Sequence, residues 1–156
     1  MSMYINDRNI YQTARRAAGL TQEAAAERLG ISVESIRAYE TGIRMPPMEV
    51  ADLMVDCYDS QMLAVQHLRA SAAMARELLP EVQPVRLPEA VMELVDHIYE
   101  FADRHRDRDL IRIAKDGVID EGERPDFDGI IRELEGLVQA AMALRCVVPK
   151  PDDEEG

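Results

Sequence analysis

Two short helical segments, each stopped by a glycine and only a few residues apart, constrain this chain more than anything else in it. Thr21 stands where an N-cap belongs, ahead of the helix-forming run QEAAAERL, and Gly30 ends that run. Ser32 is the next N-cap, with Ser35 at the third helical position, where a capping box would prefer Glu or Gln. VESIRAYE follows and stops at Thr41-Gly42. Within it Ile36 and Tyr39 are three apart and share a core-facing side, which turns Val33, Glu34, Arg37 and Ala38 outward. A turn this sharp between two helices needs positive φ, which glycine adopts without steric cost.

Helical periodicity continues on both sides, and no alternating strand pattern of useful length occurs, so the expected class is all-α. IYQTARRAA ends at Gly19, after which Leu20 enters the core. Pro46-Pro47 open a fourth helix, MEVADLMVDCY, expected to turn Val50, Leu53, Met54 and Cys57 inward. A fifth is expected from Ser60 to Leu79, with Leu63, Leu68, Ala72, Ala75 and Leu79 among its apolar residues. LPEVQPVRLP, with three prolines, makes a linker of about 80–88. A sixth helix starts near Pro88 with apolar residues at 91, 94, 98 and 101, and the charged run DRHRDRD then gives an exposed face or a short loop.

DGVIDEGE reads as an interhelical turn, with Gly117 as C-cap and Asp120 to Glu123 as a capping box. Beyond it Phe127, Ile130, Leu134, Leu137, Ala141 and Leu144 keep a heptad spacing. That seam buries against a neighbour, either inside the chain or in a second copy. The expected organisation is an N-terminal domain over 1–58, a helical C-terminal region over 59–146 and an acidic, proline-punctuated, disordered tail over 147–156.

Charge is distributed unevenly. The chain carries a net charge of -12, yet residues 1–50 hold six Arg against six acids, so the excess lies entirely beyond residue 50. A stretch of about 18 apolar residues is missing, and MSMYINDRNI lacks the basic-then-apolar order of a signal peptide, so neither a spanning helix nor export is expected. Cys57 and Cys146 are isolated thiols without CxxC spacing, which argues for a reducing cytoplasm and against disulfides or a zinc site.

The paired helices with their glycine-led turn make a helix-turn-helix. Their surroundings resemble the Xre/Cro family of phage-repressor-like domains, on Arg15, Gly19-Leu20-Thr21-Gln22, Ala25-Ala26, Leu29-Gly30-Ile31-Ser32, Ile36, Tyr39, Glu40, Gly42 and Pro46. The resemblance covers roughly residues 8–58. It implies a bundle of about five helices, the second bracing the DNA backbone and the third entering the major groove. It further implies that Gln22 meets a phosphate, that Thr41 and Arg44 contact the backbone beyond the reading helix, and that Arg15 and Glu40 form an internal ion pair.

The groove-facing residues would be Ser32, Val33, Glu34, Ser35, Arg37 and Ala38. Of these Arg37 suits a bidentate contact with guanine, Glu34 suits cytosine, and Val33 and Ala38 suit a thymine methyl. Double-stranded DNA and a second copy of the chain are therefore the expected partners, with a protein partner for the acidic C-terminal region as a further expectation.

Other chemistry has little to stand on. Matching DGVIDEGE to a calcium loop would put Arg112 and Ala114 at two ligand positions. His67, His97 and His105 share no metal or catalytic spacing, and neither a phosphate loop nor a nucleophile motif occurs. A non-enzymatic regulator without cofactor is expected. The competing expectation is an adaptor or antagonist that keeps the helix-turn-helix shape and meets a basic protein through its acidic body.

Overall fold

A computed structural model describes residues 9–147, and the tail expected beyond 147 lies outside them. Every regular element among the described residues is a helix, and the chain divides into two compact units between Glu81 and Val82.

The first unit holds α1 (Ile10–Ala17), α2 (Gln22–Leu29), α3 (Val33–Glu40), α4 (Met48–Tyr58), α5 (Gln61–Ser71) and α6 (Ala73–Leu78). Local chemistry sets most of these limits. Asn9, Thr21, Ser32 and Ser60 each cap a helix by accepting from backbone N–H groups one turn in. Gly30 closes α2 at φ 67°, and the N–H of Ile31 returns to Ala26 O, so orphan carbonyls of the last turn are satisfied.

The core gathers Tyr11, Ala25, Leu29, Ile36, Tyr39, Met54, Tyr58 and Leu63 among others. On α4 the inward residues are Ala51, Met54 and Tyr58, while Leu53 is 51 % exposed, contrary to its expected inward place. Leu53 lies about 100° from Met54, and the alternative phase buries a tyrosine instead.

α5 belongs to this unit and does not open a C-terminal region at residue 59. Leu63 is fully buried, and Tyr11 Oη lies 2.8 Å from His67 Nδ1 with the rings edge to face. Packing against α1 and α4 supplies the apolar surface that a four-helix head would leave bare. The helix expected to run unbroken to Leu79 is interrupted at Ala72, which is extended (φ -141°, ψ 132°). Beyond the break Arg76 Nη1 reaches back to Arg69 O, and Arg69 Nη1 donates to Arg76 O and Leu79 O.

The second unit holds α7 (Leu87–Asp103), α8 (Arg106–Ile113) and α9 (Arg124–Arg145). Pro88 sits in the first turn of α7, where a missing N–H costs nothing. Asp120 and Glu123 form the expected reciprocal box: Glu123 N–H donates to Asp120 Oδ1 and Asp120 N–H to Glu123 Oε2. Among the described residues no acidic or histidine cluster suits a metal ion.

α7 and α9 are antiparallel, with His97 beside Gly136 and Arg104 paired to Glu133. Small residues outside the heptad share in the buried side of α9. A Cβ on Gly136 would come within 3.0 Å of the His97 ring, Ala140 is buried, and Ala141, expected in the seam, is exposed. Ile130 is fully buried, and Phe127, Leu134, Leu137 and Leu144 are half-buried.

Two outcomes follow from α5. A chain ending at residue 58 loses Leu63 and His67 and is expected to show no cooperative thermal transition by circular dichroism, whereas one ending at 81 melts cooperatively. In the same 1–81 chain, burial holds His67 below its ordinary pKa of 6.5 against the opposing charge of Asp52, and burial pushes Tyr11 up to about 12. The unfolded imidazole takes its proton first, so this site's contribution is complete above pH 6.5 and lost as the pH falls below it. Urea midpoints should therefore drop on that limb, and His67→Gln should flatten the drop.

Candidate nucleic-acid interface

The geometry of α3 rests on a buried pair beneath it. Arg15 of α1 and Glu40 at the end of α3 meet through Nε to Oε1 at 2.5 Å and Nη2 to Oε2 at 3.0 Å, and both are less than a tenth exposed. Arg15 Nη1 also donates to Leu20 O, so one guanidinium ties α1, the turn before α2 and α3 together. Burial works to raise the Glu40 carboxyl, but hydrogen bonds from Arg15 and Gln22 and the Arg15 charge outweigh it and hold it below its ordinary value. The hydrogen bond to Glu40 leads the effects that raise Arg15.

Gln22 extends this pair to the surface. Its Nε2 donates to Glu40 Oε2 at 2.9 Å, and its Oε1 accepts from Arg37 Nε at 3.3 Å. A residue expected only to touch phosphate thus also bridges the ion pair to Arg37, the one cation of α3. Arg44 comes in from the other edge, its guanidinium 5.0 Å from the Tyr39 ring centre and its Nη2 donating to Ser35 Oγ at 3.0 Å. Asn9 Nδ2 adds a bond to Tyr39 O.

Between the two arginines lies the outward surface of α3. Glu34 and Arg37 are exposed, Val33, Ser35 and Ala38 are half-buried, and exposed Ser32 spends its hydroxyl on the Ser35 N–H and Oγ. Thr41 Oγ1 donates to Arg37 O at 2.7 Å, so this hydroxyl is engaged locally. The structure brings together Gln22, Ser35, Arg37 and Arg44. The bridging by Gln22 and the stacking of Arg44 were not among the expectations, because both need the spacing of α2 and α3 in three dimensions.

The helix-turn-helix family model matches residues 12–62 of the chain, a span that takes in α2 to α4 and most of α1. These residues form an Xre and lambda-repressor-like domain of a DNA-binding regulator family. No curated protein and no solved structure matches the chain. No helix among the described residues is long and apolar enough to cross a membrane.

Removing one member of a buried, hydrogen-bonded ion pair strands the other, at about 3–5 kcal/mol. Glu40→Ala is expected to lower the unfolding free energy of the first unit by that amount in urea titration. The stabilisation from the native carboxylate is present above its ordinary pKa of 4.5 and lost as the pH falls through the lower folded value, so Glu40→Gln should flatten the acid limb in that range.

Proposed function

We propose that this chain, whose residues 12–62 are a helix-turn-helix domain of the Xre and lambda-repressor-like kind, is a cytoplasmic transcription regulator that binds a partly symmetric operator as a dimer. The observation that supports this best is the pair of exposed arginines on α3 and just beyond its end, one oriented by Gln22 and the other by Tyr39 and Ser35. Arg37 faces outward from the middle of the reading helix and carries the bidentate contact to guanine, while Val33 and Ala38 supply apolar contact to thymine methyls. Gln22 and Arg44 hold the phosphates on either side, Thr41 joins them when its hydroxyl turns from Arg37 O, and Ser32, Glu34 and Ser35 complete the groove-facing set.

Regulation needs no catalysis, because occupancy of the operator excludes or recruits other proteins. With neutral overall charge over residues 1–50, few phosphate contacts contribute, and two half-sites together provide the affinity that one α3 lacks.

A second reading has an observation of its own. Residues 82–147 carry fifteen acids against nine cations, a surface suited to a basic protein partner. In that case the chain acts as an adaptor or antagonist, and substitutions on α3 leave its binding unchanged.

Selection from a random duplex pool at low and near-physiological salt separates the two. A two-part site that survives the higher salt is the expected result, and uniform loss of DNA as salt rises favours the adaptor. Arg37→Ala should relax choice at one base pair of each half-site, at about 1–3 kcal/mol. Arg44→Ala should weaken all duplexes about equally and reduce the slope of binding against salt by roughly one ion per half-site.

A further inference from the structure

The second unit leaves one side apolar and uncovered. At about 100° per residue, α7 divides into three sectors. Ala90, Leu94, His97 and Phe101 fall on the side of α9. Next round the helix come Val91, Val95, Ile98 and Ala102, with Met92 and Tyr99 beside them. Val91 is 40 %, Ile98 47 %, Met92 59 % and Tyr99 63 % exposed. Glu89, Glu93, Asp96, Glu100 and Asp103 occupy the third sector, and α7 contains no cation.

On α9 the pattern repeats. Ile130, Glu133, Leu137 and Ala140 fall on the α7 side, while Leu134, Val138 and Ala141 lie to one flank, with Val138 49 % exposed. The helices are antiparallel, so the right-handed turn brings the two apolar flanks to the same side of the pair.

We infer that this two-helix face is the dimer interface: it packs on the same face of a second copy, forming a four-helix bundle in which each α7 lies against the α9 of the other copy. The inference rests on the dimeric regulator described above and assigns its interface.

Three features select a second copy as the occupant. α8, eight residues long, packs on both α7 and α9 but is far shorter than either, and three of the unit's seven buried hydrophobic residues are alanines. The face is about 25 Å long by the rise of α7 and two helices, roughly 20 Å, wide. Its corrugated surface approaches the ~800 Å² per partner of a stable complex, and a matching pair of helices covers that width where a single helix would not.

Charge favours α9 as the neighbour of α7. The carboxylates of α7 lie beyond the outer edge of its apolar sector and stay in water, and with five of them and no cation α7 is the more anionic of the two helices. α9 carries Arg124, Arg132 and Arg145 with four acids, which makes it the better neighbour. The two-fold axis then runs along the bundle, and every adjacent pair is antiparallel.

Sedimentation equilibrium of the full chain near ~10 µM is expected to give a dimer. Val91→Glu with Ile98→Glu should raise its dissociation constant at least ~100-fold with unchanged helicity, since both side chains are already exposed. Tyr99→Glu, more exposed still, provides the same test should that pair reduce helicity. Ile111→Glu, on α8 and 72 % exposed, should leave the dimer intact.

A monomeric wild type overturns this inference together with dimeric operator binding, and leaves the face to another protein. A dimer indifferent to the α7 substitutions overturns the interface alone, and operator selection still reports on dimeric binding. Spin labels at Glu89→Cys and Asp96→Cys, with Cys57→Ser and Cys146→Ala, should report the same distance between copies. A much shorter one at residue 96 would place α7 on α7 and overturn the arrangement.

Discussion

The buried bond between Arg15 and Glu40 is the constraint on which the presentation of α3 depends. Two charges withdrawn from water are tolerable only when each finds a partner of good geometry. Here Nε and Nη2 of Arg15 engage both carboxylate oxygens, and Nη1 engages Leu20 O. The pair fixes the end of α3 relative to α1. Gln22 then carries that fixed point to Arg37, so the exposed cation of α3 is oriented from inside the domain. Long arginine side chains lose considerable rotamer freedom on binding, and one held in advance loses less.

Arg44 is prepared differently. It rests over a tyrosine whose ring is itself part of the core, and its guanidinium stays at the surface. Arg37 and Arg44 are thus anchored through unlike chemistry, one by a hydrogen bond to Gln22, which is itself bonded to the buried ion pair, and one by an aromatic face. In a domain neutral in total charge over its first 50 residues, these two cations share the surface of α3 with one exposed carboxylate, that of Glu34.

Much of the local architecture was legible in residues close together in the chain. Thr21 and Ser32 as caps, Gly30 as the turn, and Asp120 with Glu123 as a reciprocal box involve groups only a few positions apart, so side-chain chemistry settles them. The face of α4 was not legible. Leu53, Met54 and Tyr58 are all apolar enough for a core, and which phase is buried depends on what α1 and α5 bring against it. The contact line of α9 escaped for a related reason. Its large residues form a regular heptad, but His97 of α7 packs against Gly136, which lies outside that heptad.

By itself, the sequence determined the helical class, the position of each turn in the helix-turn-helix and the outward place of Glu34 and Arg37 on α3, though not that Val33 packs against the core, because capping, glycine dihedrals and helical period act over a few residues. Only the tertiary structure decided that α5 completes the first unit, that Gln22 links Glu40 to Arg37, and that α7 and α9 leave an apolar side open. Each of these joins groups brought together by packing, and packing is set by the summed shape of several helices, which no local pattern encodes.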